Sequence, residues 1–211
     1  MQKIAITVDV LRSLYPVFET AYEKHLEFYL DEKNSSFYEF EENGDLTLID
    51  ASQKRYFENP KDDPFRITRL FAFYSKEEYE NFIIDNSFNL FGISALTYPE
   101  VISDVNKVYS LLVNKGDVCT IISNEWNKTK SHTLYWLATN KVLANRYLFL
   151  TDYSKIWQAF DVVITSNPYI LKRCNLDNEK KTSIKIITEH NKDIEATISL
   201  NNLSEIFDYI L

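Results

Sequence analysis

The sequence predicts an α/β fold in which helices cover both faces of a parallel β-sheet, the doubly wound arrangement. The chain contains several short apolar runs without polar alternation, and such runs are typical of strands buried on both faces. Segments with helical periodicity separate these runs, as the connections of a parallel sheet require. The 211 residues, 45% of them hydrophobic, suffice for one domain with a sizeable core and a small insertion.

The first strand and the first helix follow one another directly. Residues Lys3–Asp9 form the first apolar run and predict a strand. Ser13 then precedes a helical pattern of apolar and aromatic residues that runs to Leu30. Pro16 falls in the first turn of this helix, where proline is tolerated.

Residues 31–95 change character and predict an inserted cap. The runs Phe37–Phe40 and Leu46–Ile49 flank an Asn43-Gly44 pair, which is the strongest short signal for a β-hairpin. A loop with two prolines follows, and Ser75 then begins a helix that runs to Asn86. We therefore assign residues 1–30 and 96–211 to an α/β core, and residues 31–95 to a cap made of a hairpin and a helix.

The rest of the chain alternates between helices and strands. The predicted helices are Pro99–Gly116, Asn127–Asn140 and a final stripe, Leu203–Ile210, with a capping box from Asn202 to Glu205. The predicted strands are Val118–Ser123, Tyr147–Thr151, Asp161–Thr165 and Ile184–Ile187.

Composition excludes several classes of partner and site. The chain carries 31 acidic against 23 basic residues, a net charge of −8, which opposes binding to nucleic acid or to an anionic membrane. Only 3 glycines are present, so a glycine-rich phosphate loop is excluded. Cys119 and Cys174 lack the spacing of a metal or redox pair. Because neither a targeting signal nor a membrane span is recognisable, we expect a cytoplasmic protein.

Polar side chains follow the predicted strands at the edge of the sheet where doubly wound folds bind ligands. They are Thr7 to Asp9, Ser123, Thr151-Asp152 and Thr165-Ser166-Asn167. An apolar strand that ends in an acid, followed by a helix and an insertion, resembles the haloacid dehalogenase (HAD)-like superfamily, and within it the 5′-nucleotidase-like phosphatases. The resemblance covers nearly the whole chain in layout. It implies a Rossmann-like sheet with a small cap inserted between the first helix and the second core strand.

The first motif of that family is D-x-D, in which the first acid is the nucleophile and the second is a general acid/base. This chain has Thr7-Val8-Asp9, so the resemblance places Thr7 at the nucleophile's position and Asp9 at the second acid's position. An alternative alignment makes Asp9 the nucleophile and Leu11 its partner. Either alignment lacks one carboxylate, and a threonine hydroxyl is a weak nucleophile and a poor magnesium ligand.

Further positions match the family's other motifs in part. Ser123 stands where a hydroxyl orients the phosphoryl group, but a serine there also caps a helix. Lys155 stands where a basic residue neutralises phosphate, with an ordinary surface lysine as the alternative. Thr165 and Ser166 replace the acids that hold the metal, and Asp152 either compensates for them or caps a helix.

These replacements predict a catalytically inactive HAD-like domain that serves as a structural or protein-binding module. No cofactor is expected, and the vestigial phosphate site comprises Thr7, Asp9, Ser123, Lys155, Thr165 and Ser166. The partners would be proteins, within a homo-oligomer or a larger assembly, and the aromatic residues around Phe37–Phe40 and Phe65–Tyr74 would anchor them. The Asn-, Lys-, Tyr- and Ile-rich composition points to an AT-rich genome and to a phage virion or assembly component.

Two alternatives stay open at this stage. The first is a magnesium-dependent phosphatase or 5′-nucleotidase acting on a small phosphoester, with Asp9 and Asp152 holding the metal. The second is a sensor that binds a phosphorylated metabolite at the hydroxyl-lined strand ends without hydrolysing it.

Overall fold

The computed structural model describes residues 1–29, 36–40, 46–50, 76–93, 96–123, 128–150, 155–177 and 181–210. The chain divides into two compact units. The core unit comprises Met1–Ser13 and Thr97–Leu211, and the inserted unit comprises Leu14–Leu96. The sequence places the first predicted helix in the core, whereas the packing of the chain groups it with the inserted unit.

Ten strands lie in the described part of the chain. They are β1 (Lys3–Thr7), β2 (Arg12–Ser13), β3 (Ser36–Phe40), β4 (Leu46–Asp50), β5 (Leu96–Thr97), β6 (Val118–Ser123), β7 (Arg146–Phe149), β8 (Val162–Thr165), β9 (Thr182–Ile186) and β10 (Ile198–Leu200). Six of them form the sheet of the core unit in the order β10-β9-β8-β1-β6-β7. Every pairing within this sheet is parallel, which confirms the predicted fold class.

The described α-helices are α1 (Tyr15–Tyr29), α2 (Lys76–Ser87), α3 (Pro99–Asn114), α4 (Lys130–Thr139), α5 (Ile156–Ala159), α6 (Pro168–Asp177) and α7 (Phe207–Ile210). None of them is both long and apolar enough to cross a lipid bilayer.

Strand β1 lies in the interior of the sheet, where it pairs with β6 along one edge and with β8 along the other. Ile6 is paired with Ile121 of β6 and with Ile164 of β8, and all three side chains are buried. Continuous apolar sequence is what such a position demands, since both faces of the strand are removed from water.

Helix α3 shows how local sequence sets the bounds of a helix. Its buried residues are Ile102, Val105, Val108 and Leu112, which recur every three or four positions and so form one apolar stripe. The helix ends before Gly116, whose φ of +79° is a left-handed conformation that glycine adopts without strain.

A second group of buried residues packs where α5 and α6 meet the sheet. Trp157 is 1% exposed and lies in a cluster with Ala5, Val163 and Ile170. Its indole Nε1 donates a hydrogen bond of 2.9 Å to the carbonyl of Ile170, so the polar atom of this large side chain is satisfied inside the core.

The inserted unit contains α1, the β3–β4 hairpin, α2 and a π-helical turn over Phe88–Ile93. Strands β3 and β4 pair antiparallel, as the Asn-Gly signal predicts. Phe18 of α1 packs against Phe82 and Phe91, with ring centroids 5.9 and 6.4 Å apart, which explains why α1 groups with this unit. The side chain of His25 pairs with Glu78 at 2.8 Å.

Several element bounds differ from the sequence predictions. Strand β1 ends at Thr7 rather than at Asp9, because Val8–Val10 turn into a 3₁₀-helix. Strand β7 covers Arg146–Phe149, whereas the prediction was Tyr147–Thr151; Thr151 lies outside the described residues. Helix α4 begins at Lys130 rather than at Asn127, and residues 124–127 lie outside the described part.

The elements near the C-terminus differ more from the sequence predictions. Strand β10 was not predicted, because Ile198-Ser199-Leu200 is too short to give a periodic signal. The final helical stripe is a 3₁₀-helix over Leu203–Ile206 followed by α7. The Asn202 side chain does not cap it; Glu205 instead accepts a hydrogen bond from the backbone N–H of Asn201 at 3.1 Å.

Candidate functional site

The candidate site is built where β1 and β8 end side by side. Thr7 is the last residue of β1, and its hydroxyl donates to Thr165 Oγ1 at the end of β8 over 2.7 Å. Both threonines are fully buried. The short 3₁₀-helix after Thr7 turns the chain so that Asp9 faces the end of β8. Without that turn Asp9 would continue the strand.

Asp9 receives hydrogen bonds from Thr165, the last residue of β8, and from Ser166, which follows it. Its Oδ2 atom accepts from the backbone N–H of Ser166 at 2.9 Å, from Ser166 Oγ at 2.6 Å and from Thr165 Oγ1 at 3.3 Å. We call Thr7, Asp9, Thr165 and Ser166 the strand-end cluster. The hydroxyls thus form a relay in which Thr7 donates to Thr165 and Thr165 donates to the Asp9 carboxylate.

Two asparagines hold this cluster in place: Asn167, which the sequence places at this edge of the sheet, and Asn191, which the sequence did not single out. Asn167 caps α6, since its Oδ1 accepts from the backbone N–H of Tyr169 at 2.9 Å. Its own N–H donates to Thr165 Oγ1 at 3.0 Å. The signal was present in the sequence, because an asparagine before a proline is typical of a helix start.

Asn191 supports the cluster from the loop after β9. Its side chain is completely buried, and Nδ2 donates to the Ser166 carbonyl at 2.8 Å and to the Ile186 carbonyl at 2.9 Å. Its Oδ1 accepts from the Thr188 N–H at 2.8 Å. Nothing in the local sequence around Asn191 marks it, because its partners come from other parts of the chain.

Lys185 is a buried cation in the same region. It is 4% exposed, and its Nζ atom donates to the carbonyls of Asn191, Lys192 and Ile194 at 3.3, 3.3 and 2.6 Å. These contacts fix the loop from which Asn191 reaches Ser166. Lys185 therefore supports the loop through backbone oxygens.

The other predicted site residues are placed as follows. Ser123 is the last residue of β6 and is buried, one position beyond the residue that pairs with Thr7. Lys155 is exposed and immediately precedes α5. Asp152 lies outside the described residues. The structure thus brings together Thr7, Asp9, Thr165 and Ser166 by hydrogen bonds.

The donor set of the cluster does not fit a magnesium site. Magnesium favours charged oxygen ligands, whereas the groups around Asp9 Oδ2 are an N–H and two hydroxyls that donate to it. Within the part of the chain that the structure describes, His, Cys, Asp and Glu form no group of three that could hold a metal ion.

A cavity of about 340 Å³ lies in the inserted unit. It is lined by His25, Glu77, Glu78, Asn81, Phe82, Asp85 and Asn86. The strand-end cluster contributes none of these residues.

Comparison with solved structures shows what this fold is similar to. CbbY from Rhodobacter sphaeroides, solved with xylulose-(1,5)-bisphosphate, superposes with a TM-score of 0.58 at 8% identity, over 98% of this chain and 96% of that one. A haloacid dehalogenase-like family protein from Streptococcus pneumoniae, described as a hydrolase, gives a TM-score of 0.54 at 10% identity, over 100% of this chain and 99% of that one. A haloacid dehalogenase-like family hydrolase from Xanthomonas campestris gives a TM-score of 0.50 at 12% identity, over 100% of this chain and 94% of that one. No family model and no curated protein matches the sequence. The fold is therefore that of HAD-like proteins.

Proposed function

We propose that the chain is a HAD-like domain that does not hydrolyse phosphoesters and that serves as a protein-binding or structural module. The observation that supports this proposal is the state of the strand-end cluster. One of the two alignments places Thr7 at the nucleophile's position, and the Thr7 hydroxyl is buried and bonded to Thr165. Three hydrogen bonds, one from Thr165 at the end of β8 and two from Ser166 just after it, converge on one oxygen of Asp9.

Charge is the physical reason for expecting no hydrolysis. A phosphate dianion that approaches the Asp9 carboxylate is repelled, and enzymes offset such repulsion with a metal ion or with cationic side chains. The cluster residues themselves supply hydroxyls instead. Losing the offsetting charge forfeits several kcal/mol of transition-state stabilisation.

The second candidate function is a magnesium-dependent phosphatase that uses Asp9 with Asp152. The similarity of the fold to hydrolases favours this candidate over the first, whereas the hydrogen bonds around Asp9 favour the first.

Phosphate release decides between the two candidates. The chain would be incubated with p-nitrophenyl phosphate and a panel of nucleoside monophosphates, with and without magnesium, beside the Asp9→Asn variant. We expect both proteins to release phosphate at the same background rate and to show no shift in Tm when magnesium is added. Magnesium-dependent release that disappears in Asp9→Asn would establish the second candidate and overturn the first.

The phage origin, the virion role and the cytoplasmic location stay predictions from the sequence.

A further inference from the structure

Strand β7 is an edge of the core sheet with an open side. In the described part of the chain it pairs with β6 alone. Alternate residues of an edge strand turn their backbone N–H and C=O groups away from the sheet, and proteins ordinarily protect such groups. Here the strand is accessible instead, since Tyr147 is 40% exposed and Leu148 is 37% exposed.

Exposed apolar side chains lie next to this strand in the sequence and within it. Leu143, 45% exposed, lies in the turn before β7, and Tyr147 ties that turn down by donating from its hydroxyl to the Val142 carbonyl at 2.6 Å. At the last residue of β7, the ring centroid of Phe149 lies 5.5 Å from Lys130 Nζ of α4.

Helix α4 presents a further apolar side chain beside the strand. Residues four positions apart share a helix face, so Leu134, which is 42% exposed, lies on the same face of α4 as Lys130, whose Nζ is near Phe149 of β7. We call Lys130, Leu134, Leu143, Arg146, Tyr147 and Leu148 the β7 edge.

The charge of this region is opposite to that of the whole chain. Two of the six β7-edge residues, Lys130 and Arg146, are basic and none is acidic, although the chain has a net charge of −8. A partner that meets this surface therefore gains from carrying acidic groups.

We infer that the β7 edge binds an extended segment of a partner protein in which acidic and apolar side chains alternate, and that this segment joins the sheet as an additional strand. The open backbone groups supply the main-chain hydrogen bonds, the exposed apolar side chains contact the apolar residues of the segment, and the basic side chains pair with its acids. The inference rests on the protein-binding half of the proposed function.

Two other occupants of the β7 edge are disfavoured by the same observations. A second copy paired through its own β7 would bring two basic edges together, which like-charge repulsion opposes. An anionic bilayer offers no row of backbone groups to the strand, and the net charge of −8 repels it.

The direct test uses a fluorescein-labelled octapeptide of alternating Glu and Val. Two matched peptides serve as controls: one has Lys in place of Glu, and the other is N-methylated at alternate residues and so cannot pair with a strand. We expect the Glu/Val peptide to bind in fluorescence anisotropy at least tenfold more tightly than either control, and to weaken as salt is raised. Hydrogen exchange of amides within Arg146–Phe149 should slow when it binds.

Variants of the chain locate the binding surface. Arg146→Glu should weaken binding of the Glu/Val peptide about fivefold to tenfold, and Leu148→Ser about fivefold. The matched controls are Lys192→Glu, an exposed charge reversal in the loop after β9, and Val113→Ser, at an exposed apolar residue of α3; both should bind like the parent chain. Circular dichroism checks that each variant folds, and the exchange measurement needs no variant.

Several results would overturn the inference. Equal binding of all three peptides, or unchanged exchange within β7, would show that no strand is added. Self-association that Leu148→Ser abolishes would assign the edge to a second copy, and binding to phosphatidylserine vesicles without peptide binding would assign it to a membrane. None of these results bears on phosphate release, so failure here is distinguishable from failure of the hydrolysis proposal.

Discussion

Asn191 offers the most direct test of how the strand-end cluster is supported. Its fully buried side chain satisfies two carbonyls, those of Ser166 and Ile186, and one N–H, that of Thr188. Asn191→Ala removes all three hydrogen bonds at once and leaves three backbone groups without this partner.

The magnitude follows from those three bonds. Each intramolecular hydrogen bond contributes about 1 kcal/mol net, and a buried group left unsatisfied costs about 1–3 kcal/mol. We therefore expect Asn191→Ala to lower the free energy of unfolding by about 3–5 kcal/mol. For a chain of this size that corresponds to a fall in Tm of roughly 10 °C.

Urea unfolding followed by tryptophan emission measures this loss. All 3 tryptophans, at positions 126, 136 and 157, belong to the core unit, so their emission reports the unfolding of that unit. Asn201→Ala, at an exposed asparagine, is the control and should stay within about 0.5 kcal/mol of the parent chain.

A second variant tests the donor role of the Asn191 side chain separately from its acceptor role. Asn191→Asp keeps an acceptor for the Thr188 N–H but sets a carboxylate oxygen against the carbonyls of Ser166 and Ile186. We expect it to be at least as destabilising as Asn191→Ala at neutral pH. A loss below about 1 kcal/mol in Asn191→Ala, or one equal to that of Asn201→Ala, would refute the assigned role.

Three further predictions concern the core unit. Trp157→Phe deletes the donor to the Ile170 carbonyl and should lower the free energy of unfolding by about 2 kcal/mol, measured by urea unfolding followed by circular dichroism; an unchanged midpoint would contradict the buried hydrogen bond. Gly116→Ala meets no atom within 4 Å but is strained at a φ of +79°, so it should cost about 1 kcal/mol, and Gly116→Asn less. Burial raises the pKa of the Cys119 thiol to about 12, and Cys174 is also buried, so the native chain should not react with Ellman's reagent near pH 8 while the denatured chain exposes both thiols; rapid labelling of native protein would contradict this.

The sequence was informative wherever a local pattern decides the structure. The run Val118–Ser123 is apolar throughout, and a strand buried on both faces needs that composition. The periodicity of α3 and the Asn43-Gly44 hairpin signal are local in the same sense. Strand-end positions could also be inferred, because parallel strands finish at one edge of a sheet.

The remaining features depend on contacts between distant segments. The hydrogen bond from Thr7 to Thr165 joins residues 158 positions apart, and the one from Asn191 to Ser166 joins residues 25 apart. No spacing rule within a helix or strand predicts such partners. The sequence places hydroxyl side chains at the end of this strand, whereas the structure shows that the hydroxyls of Thr165 and Ser166 donate to Asp9.

The central place of β1 in the sheet has a consequence for how the protein is made. Lys3–Thr7 can pair only after Val118–Ile122 has been synthesised, and its other neighbour, Val162–Ile164, comes later still. The nascent chain therefore carries an apolar segment that stays unpaired while more than a hundred further residues are added. Such long-range closure slows folding and leaves the segment open to aggregation or to chaperones on the ribosome.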